Sequence, residues 1–253
     1  MSRLFIFSVI SFFIACQWQD DGSLLPAPNP LIPLKVASDI APPLGYSRVK
    51  VSENSFEEWL REVPVRKDSH VYLYNGALKQ DQSVQYAVLD ITVGKKDLQQ
   101  CADAVMRLRA EYLFSKKEYA AIEFRDNAGK AYKWTGGADR QSFDRYLETV
   151  FGWCGSASLE KQLKPVAGIK DIQPGDVFIK GGFPGHAMIV MDVAVNGKGN
   201  KVFILAQSYM PAQDIHIVRN PRNEELSPWY EIDDSKQVIT PEWTFSYDQL
   251  KRW

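Results

Sequence analysis

The chain is poor in the residues that carry most metal and disulfide chemistry. Among its 253 residues are only three cysteines and three histidines. There is no HExxH, no CxxC and no close histidine pair, so the usual zinc spacings are missing. No metal and no cofactor is therefore expected. Charge of one sign is also lacking. The formal net charge is −1, and no run of like charge occurs, which argues against nucleic acid as a partner. A phosphate loop is absent too: Lys180 precedes Gly181 and Gly182, and no Gly-Lys-Ser/Thr follows. No internal repeat is visible. Beyond the first fifteen residues no stretch is long and apolar enough to span a bilayer.

The N-terminus does carry a short apolar run. Arg3 gives a positive start, Leu4 to Ile14 is apolar, and Ala15-Cys16 follows. This is the layout of a secretory signal rather than a transmembrane helix. Phe13-Ile14-Ala15-Cys16 resembles a bacterial lipobox. The expectation is a signal peptide over residues 1–15, cleavage before Cys16 and lipidation of Cys16. Acyl chains would then hold the protein at the cell envelope, on the outer membrane, periplasmic or surface-exposed. Asp20 and Asp21 resemble an acidic sorting signal. Pro26, Pro28, Pro30, Pro33, Pro42 and Pro43 favour extended backbone, so residues 16–45 read as the lipidated cysteine and a proline-rich spacer.

The remainder, residues 46–253, has the length of one domain. Ser52 to Val63 reads as a short helix capped by Ser52. Val71 to Tyr74 and Tyr86 to Val93 read as strands. Asp97 to Phe114 is the strongest helix, with Asp97 as its cap and Leu98, Cys101, Val105, Leu108 and Tyr112 on one stripe. Ser142 to Phe151 and Ser158 to Leu163 are further helices. Three apolar runs then follow, Val177 to Ile179, Ala187 to Val193 and Val202 to Ala206, separated by glycine-rich turns. They predict an antiparallel meander at the centre of a sheet. The tail after Asn220 shows little periodicity and is expected to wrap the domain as loops and short pieces. Helices first and an antiparallel sheet afterwards make the fold class α+β.

Cysteine–histidine catalysis needs a thiol near a helix N-terminus, an imidazole in reach and a polar group to orient it. Cys101 lies in the first turn of the strongest helix, His186 heads a buried strand, and Gln207 ends the next strand, with Ser208 beside it. Cys154, in Trp153-Cys154-Gly155-Ser156, is an alternative nucleophile. The bland readings stand alongside: Cys101 lies on an apolar stripe, where a buried structural thiol is common, and Cys101 and Cys154 are able to pair in an oxidising compartment. His70 and His216 alternate with apolar neighbours and read as structural. Arg107, Arg109 and Glu111 read as a solvated or salt-bridged helix face.

Gln100-Cys101 opening a helix, followed much later by Pro174-Gly175-Asp176-Val177-Phe178 and Gly185-His186 with an apolar strand, resembles the CHAP and NlpC-type members of the papain-like superfamily. The resemblance implies a papain-like fold with a central N-terminal helix packed on an antiparallel sheet. It implies Cys101 as nucleophile, His186 as base and Gln207 or Ser208 as the orienting residue. The Cys101 backbone N–H and the Gln100 amide would hold the oxyanion, and the substrate would be an amide bond, for instance in peptidoglycan peptides. A non-catalytic lipoprotein that binds glycan, peptide or protein is the alternative. Most of the chain also resembles a bacterial lipoprotein family carrying a domain of unknown function, through QQCADAVMRLRAEYL, FPGHAMIVMDVA and LAQSYMPAQDIH.

Overall fold

The structure, a computed structural model, describes residues 34–253. The predicted signal, Cys16 and most of the proline spacer lie outside the described residues. The element that orders the rest is an eleven-residue strand, β7. In chain order the elements that build up to it are β1 (Tyr46–Arg48), α1 (Phe56–Arg61), β2 (Gln85–Val88), α2 (Cys101–Ser115), the hairpin β3 (Glu123–Arg125) and β4 (Ala131–Lys133), α3 (Arg140–Trp153), α4 (Ser156–Gln162), β5 (Lys164–Pro165), β6 (Val177–Lys180) and β7 itself (His186–Asn196). After it come β8 (Lys201–Gln207), β9 (His216–Val218), β10 (Trp229–Glu231), β11 (Gln237–Ile239), β12 (Thr244–Ser246) and β13 (Leu250–Arg252). The fold is mixed α+β, with an antiparallel main sheet in the order β2-β9-β8-β7-β6-β13-β5. The predicted meander is β6, β7 and β8, three sequential neighbours at the centre of that sheet.

β7 is apolar almost throughout because both of its faces are covered. Ala187, Ile189 and Met191 pack into the core beneath the helices, and Met188 and Val190 into a second core on the opposite face. A register shift between Val190 and Asp192 reverses this alternation, so Val193 joins the second core and Ala194 the first. The bulge leaves the buried Asp192 between Arg48 and Arg61, whose Nε atoms donate to its two carboxylate oxygens at 2.5 and 2.8 Å. This double ion pair compensates the desolvation of the carboxylate.

The helices occupy one face of the sheet. α2 is buried nearly all round, with Ala102, Ala104, Val105, Met106, Leu108 and Ala110 in the core. It is a central helix rather than a surface helix with one stripe. Its neighbours are α1, α3, α4 and β7. Two helix starts differ from expectation. Ser55, not Ser52, caps α1 by accepting the Glu58 N–H. Asp97 does not cap α2; the residue before the helix is Gln100, and the Gln100 N–H donates to the Asp103 carboxylate at 3.0 Å. Cys101 is therefore the first helical residue. The strand predicted over Tyr86 to Val93 ends at Val88.

The short pieces expected in the tail are four strands. β10 pairs with β8, β13 joins β6, and β11 pairs with β12 as a hairpin. Val238 and Phe245 of this hairpin enter the second core. The face of the sheet opposite α2 is thereby closed by the last part of the chain. Among the described residues no helix is long and apolar enough to cross a membrane.

Candidate active site

Three neighbouring strands carry a polar row on the hairpin side of the sheet. Gln207 of β8 pairs directly with His216 of β9. On its other side, the pair Ile189–Ala206 sets the register so that Gln207 and His186 are diagonal neighbours on one face. His186, Gln207 and His216 are all buried. His186 Nε2 lies 2.8 Å from Gln207 Oε1. Gln207 Nε2 donates to Glu242 Oε2 at 2.6 Å and lies 3.3 Å from His216 Nε2. Trp243 and Phe245 of the C-terminal hairpin and Tyr209 surround the His186 ring, with centroids at 5.3, 5.8 and 5.0 Å.

Cys101 approaches from the other face. Ala187, small and fully buried, lets α2 come close to the start of β7. The Cys101 sulfur there meets the backbone N–H of Ala187, next to His186, and the N–H groups of Ala102 and Cys101 at its own helix end. These donors favour a thiolate. Burial and the nearby Asp103 carboxyl outweigh them, and the thiol is pushed up to about 11. Burial likewise pushes His186 down to about 4, against the raising effects of Gln207 and Glu242. At neutral pH Cys101 is thus a thiol and His186 a neutral imidazole. Among the described residues Gln207 is the hydrogen-bonded partner of the His186 ring, and the Cys101 thiol is not hydrogen-bonded to it.

The loop that delivers His186 is built on close approach. A Cβ on Gly185 would lie 2.4 Å from the Gly182 carbonyl oxygen and 2.5 Å from the Ser156 hydroxyl. Gly181 is equally tight against the start of α4, 2.9 Å from the Ala157 backbone. The segment before Cys101 is fixed from another direction: Asp97 accepts from the Ala212 N–H at 2.7 Å, tying it to the loop after β8.

The remaining predicted site residues sort as follows. Ser208 is not hydrogen-bonded to His186; its hydroxyl oxygen lies 2.9 and 2.8 Å from the carbonyl oxygens of Gln99 and Gln213, which share its single proton. The Gln100 side chain donates to Asp97 at 3.2 Å rather than toward the sulfur, leaving the backbone N–H groups as the donors there. Cys154 closes α3, is buried, and is pushed up to about 12 by burial first and Asp103 second. Both described cysteines are free, so they do not form a disulfide. Arg107 is buried and bound to Glu111 at 2.6 Å, and Arg109 lies over the rings of Phe56, Tyr112 and Trp253. His216 is buried, with Nδ1 2.9 Å from the Asp214 carbonyl oxygen, and it also contacts Gln207. Sequence reasoning missed Glu242, Trp243 and Lys79. A Pro-Glu-Trp in an aperiodic tail carries no spacing signal; only folding brings it over the sheet.

Among the described residues no group of histidine, cysteine, aspartate and glutamate is arranged to hold a metal. A surface cavity of about 290 Å³, lined in part by Val49, Ser52, Glu57, Gln173 and Lys201, contains none of the predicted site residues.

Neither a curated protein nor a solved structure matches the chain. A family model does match, over residues 36–138 and 126–252, and the two overlapping segments take in Cys101, His186, Gln207 and Glu242. The chain belongs to the family described as Domain of unknown function (4846).

Proposed function

We propose that this protein is a lipid-anchored cell-envelope hydrolase with a papain-like arrangement, cleaving an amide bond through Cys101 and His186. The observation that carries the reading is the 2.8 Å contact between His186 Nε2 and Gln207 Oε1, beside a cysteine that opens the central helix. A carbonyl oxygen only accepts, so Nε2 carries the proton and Nδ1 keeps a lone pair able to take a proton from the thiol. Because the resting pair is neutral, attack on the carbonyl and proton transfer to Nδ1 proceed together. The imidazolium so formed is stabilised by Gln207 and by the Glu242 charge behind it, both of which favour the protonated ring. Backbone N–H groups at the start of α2 would meet the developing oxyanion. The imidazolium then returns its proton to the leaving amine.

The fully exposed Phe183, three residues before His186, and the exposed Met210, directly after Tyr209, give this end of the molecule an apolar rim suited to a peptide. Peptidoglycan peptides are the substrate class we favour, because the N-terminal lipobox-like segment ending at Cys16 would place the domain at the envelope. A second reading, an envelope lipoprotein that binds glycan, peptide or protein without cleaving it, is favoured by one observation: the elevated Cys101 thiol.

Hydrolysis separates the two. The full-length protein incubated with cell-wall peptides should release new amino and carboxyl termini. Cys101→Ala and His186→Ala should abolish this, and Cys154→Ala should not. Binding without cleavage by all four proteins would support the second reading. Incorporation of labelled palmitate, lost in Cys16→Ser, tests the anchor separately.

A further inference from the structure

Gln207 presents two chemically different ends that occupy the same space, an oxygen and an NH₂ group. Only one orientation makes His186 a base toward the thiol. Rotating the amide by half a turn would face NH₂ to His186 Nε2, which would then have to accept, moving the ring proton to Nδ1. Something must select the orientation, and the groups on the far side of Gln207 do so. His216 Nδ1 lies 2.9 Å from the Asp214 carbonyl oxygen. That contact places the His216 proton on Nδ1 and leaves Nε2 an acceptor toward Gln207 at 3.3 Å. Glu242 offers a carboxylate oxygen at 2.6 Å. Two acceptors on one side demand the NH₂ there.

Glu242 is itself fixed. Its other oxygen accepts from Lys79 Nζ at 2.7 Å, and Lys79 also donates to the Asp81 carbonyl at 3.2 Å. Lys79 is a buried lysine, which requires such a partner. We propose that the Lys79–Glu242 pair is a positioning device: it locks the Gln207 amide with its NH₂ outward, and so holds His186 in the tautomer whose Nδ1 is free. For its kinetic consequence this rests on the hydrolase reading above; the tautomer itself does not. Neither residue touches the reacting atoms, and an amide passes no proton, so the device acts by orientation and charge. It also assigns a role to the C-terminal hairpin, whose turn carries Glu242 and Trp243 onto the sheet.

The test is a long-range ¹H–¹⁵N correlation spectrum of the histidine rings in the full-length protein near neutral pH. The wild type should show His186 with Nε2 protonated and Nδ1 bare. Glu242→Met, which removes the acceptor at similar volume, should give a substantial share of the opposite tautomer. On a cleaved peptide it should lower kcat about tenfold with KM little changed, part of the full general-base contribution. Lys79→Arg, which keeps the cation, should retain the wild-type tautomer. If Glu242→Met does not fold, Glu242→Gln is read in its place, with a smaller shift expected because an amide oxygen still accepts. A wild-type His186 protonated on Nδ1 overturns the proposal. So does a folded Glu242 variant whose tautomer is unchanged, since the ion pair is then only a brace for the hairpin. A tautomer shift in a protein that cleaves nothing leaves the positioning device standing and removes the hydrolase reading.

Discussion

His186 and Gln207, from adjacent strands, meet at 2.8 Å on the face of the sheet away from the central helix. The histidine therefore belongs to the hairpin side and the cysteine to the helix side, and the two halves meet at the start of β7, at the Ala187 amide. Each of the following expectations depends on that arrangement.

Gln207→Leu removes the partner of His186 Nε2, of the Glu242 carboxylate and of His216 Nε2 at once. A buried polar group left unpaired costs about 1–3 kcal/mol, so urea denaturation should show a loss of at least about 2 kcal/mol. Ser208→Ala also loses a buried donor, the hydroxyl shared between the Gln99 and Gln213 carbonyls, but it should leave the His186 tautomer unchanged. A Gln207→Leu protein as stable as wild type would mean that the polar row is not closed in solution.

Acid should act through the buried rings. His186 and His216 are both pushed down to about 4 by burial, against an ordinary 6.5 in the unfolded chain. The unfolded state therefore binds more protons between these values. The stability these groups contribute is complete above pH 6.5 and is lost as pH falls toward 4, roughly 3 kcal/mol for each ring. Asp103, whose pKa burial raises, works in the opposite sense, because acid neutralises a carboxylate that the fold disfavours. Titration of the folded protein by NMR should show both rings neutral until about pH 4. A His186 midpoint near 6.5 would show that the ring is solvated rather than enclosed.

Much of the architecture is legible in the sequence because it is written in local patterns. The apolar runs of β6, β7 and β8 and the turn at Asn196 to Asn200 predict the meander, and the stretch from Asp97 to Phe114 predicts α2, which begins later, at Cys101. The Gln207–His186 pair follows from strand order alone. The α2 stripe was too narrow a description, since a helix surrounded on all sides is apolar on all sides and shows little periodicity. The C-terminal strands are three residues long, below the length at which alternation is readable. Glu242 and Lys79 stand 163 positions apart and meet only through tertiary packing.

Asp103 stands second to burial among the causes that raise the Cys101 thiol. Asp103→Asn keeps the shape and removes the charge. Alkylation of Cys101 by iodoacetamide, followed against pH, should reach half its maximal rate at a lower pH in the variant than in the wild type. An unchanged or higher midpoint would contradict the assignment of that charge effect to Asp103.

Gly185→Ala places a methyl group 2.4 Å from the Gly182 carbonyl oxygen and 2.8 Å from that of Lys180. Backbone must shift to accept it, at a cost of about 1–3 kcal/mol by analogy with overpacked cores. The shift falls on the residue before His186, so the variant should lose hydrolytic activity beyond its loss of stability. Gly152→Ala, with open space at the corresponding position, is the control. A Gly185→Ala protein with wild-type stability would show that the loop is not held against α4.

The central claim is that Cys101 attacks a carbonyl with His186 as its base. Intact-mass spectrometry of the full-length protein during turnover of cell-wall peptides, with the modified residue mapped by proteolysis, tests it most directly. The account predicts an acyl adduct on Cys101 that accumulates early, is absent from Cys101→Ala and forms far more slowly in His186→Ala. An adduct on Cys154, or peptide cleavage that persists in Cys101→Ala, would contradict it.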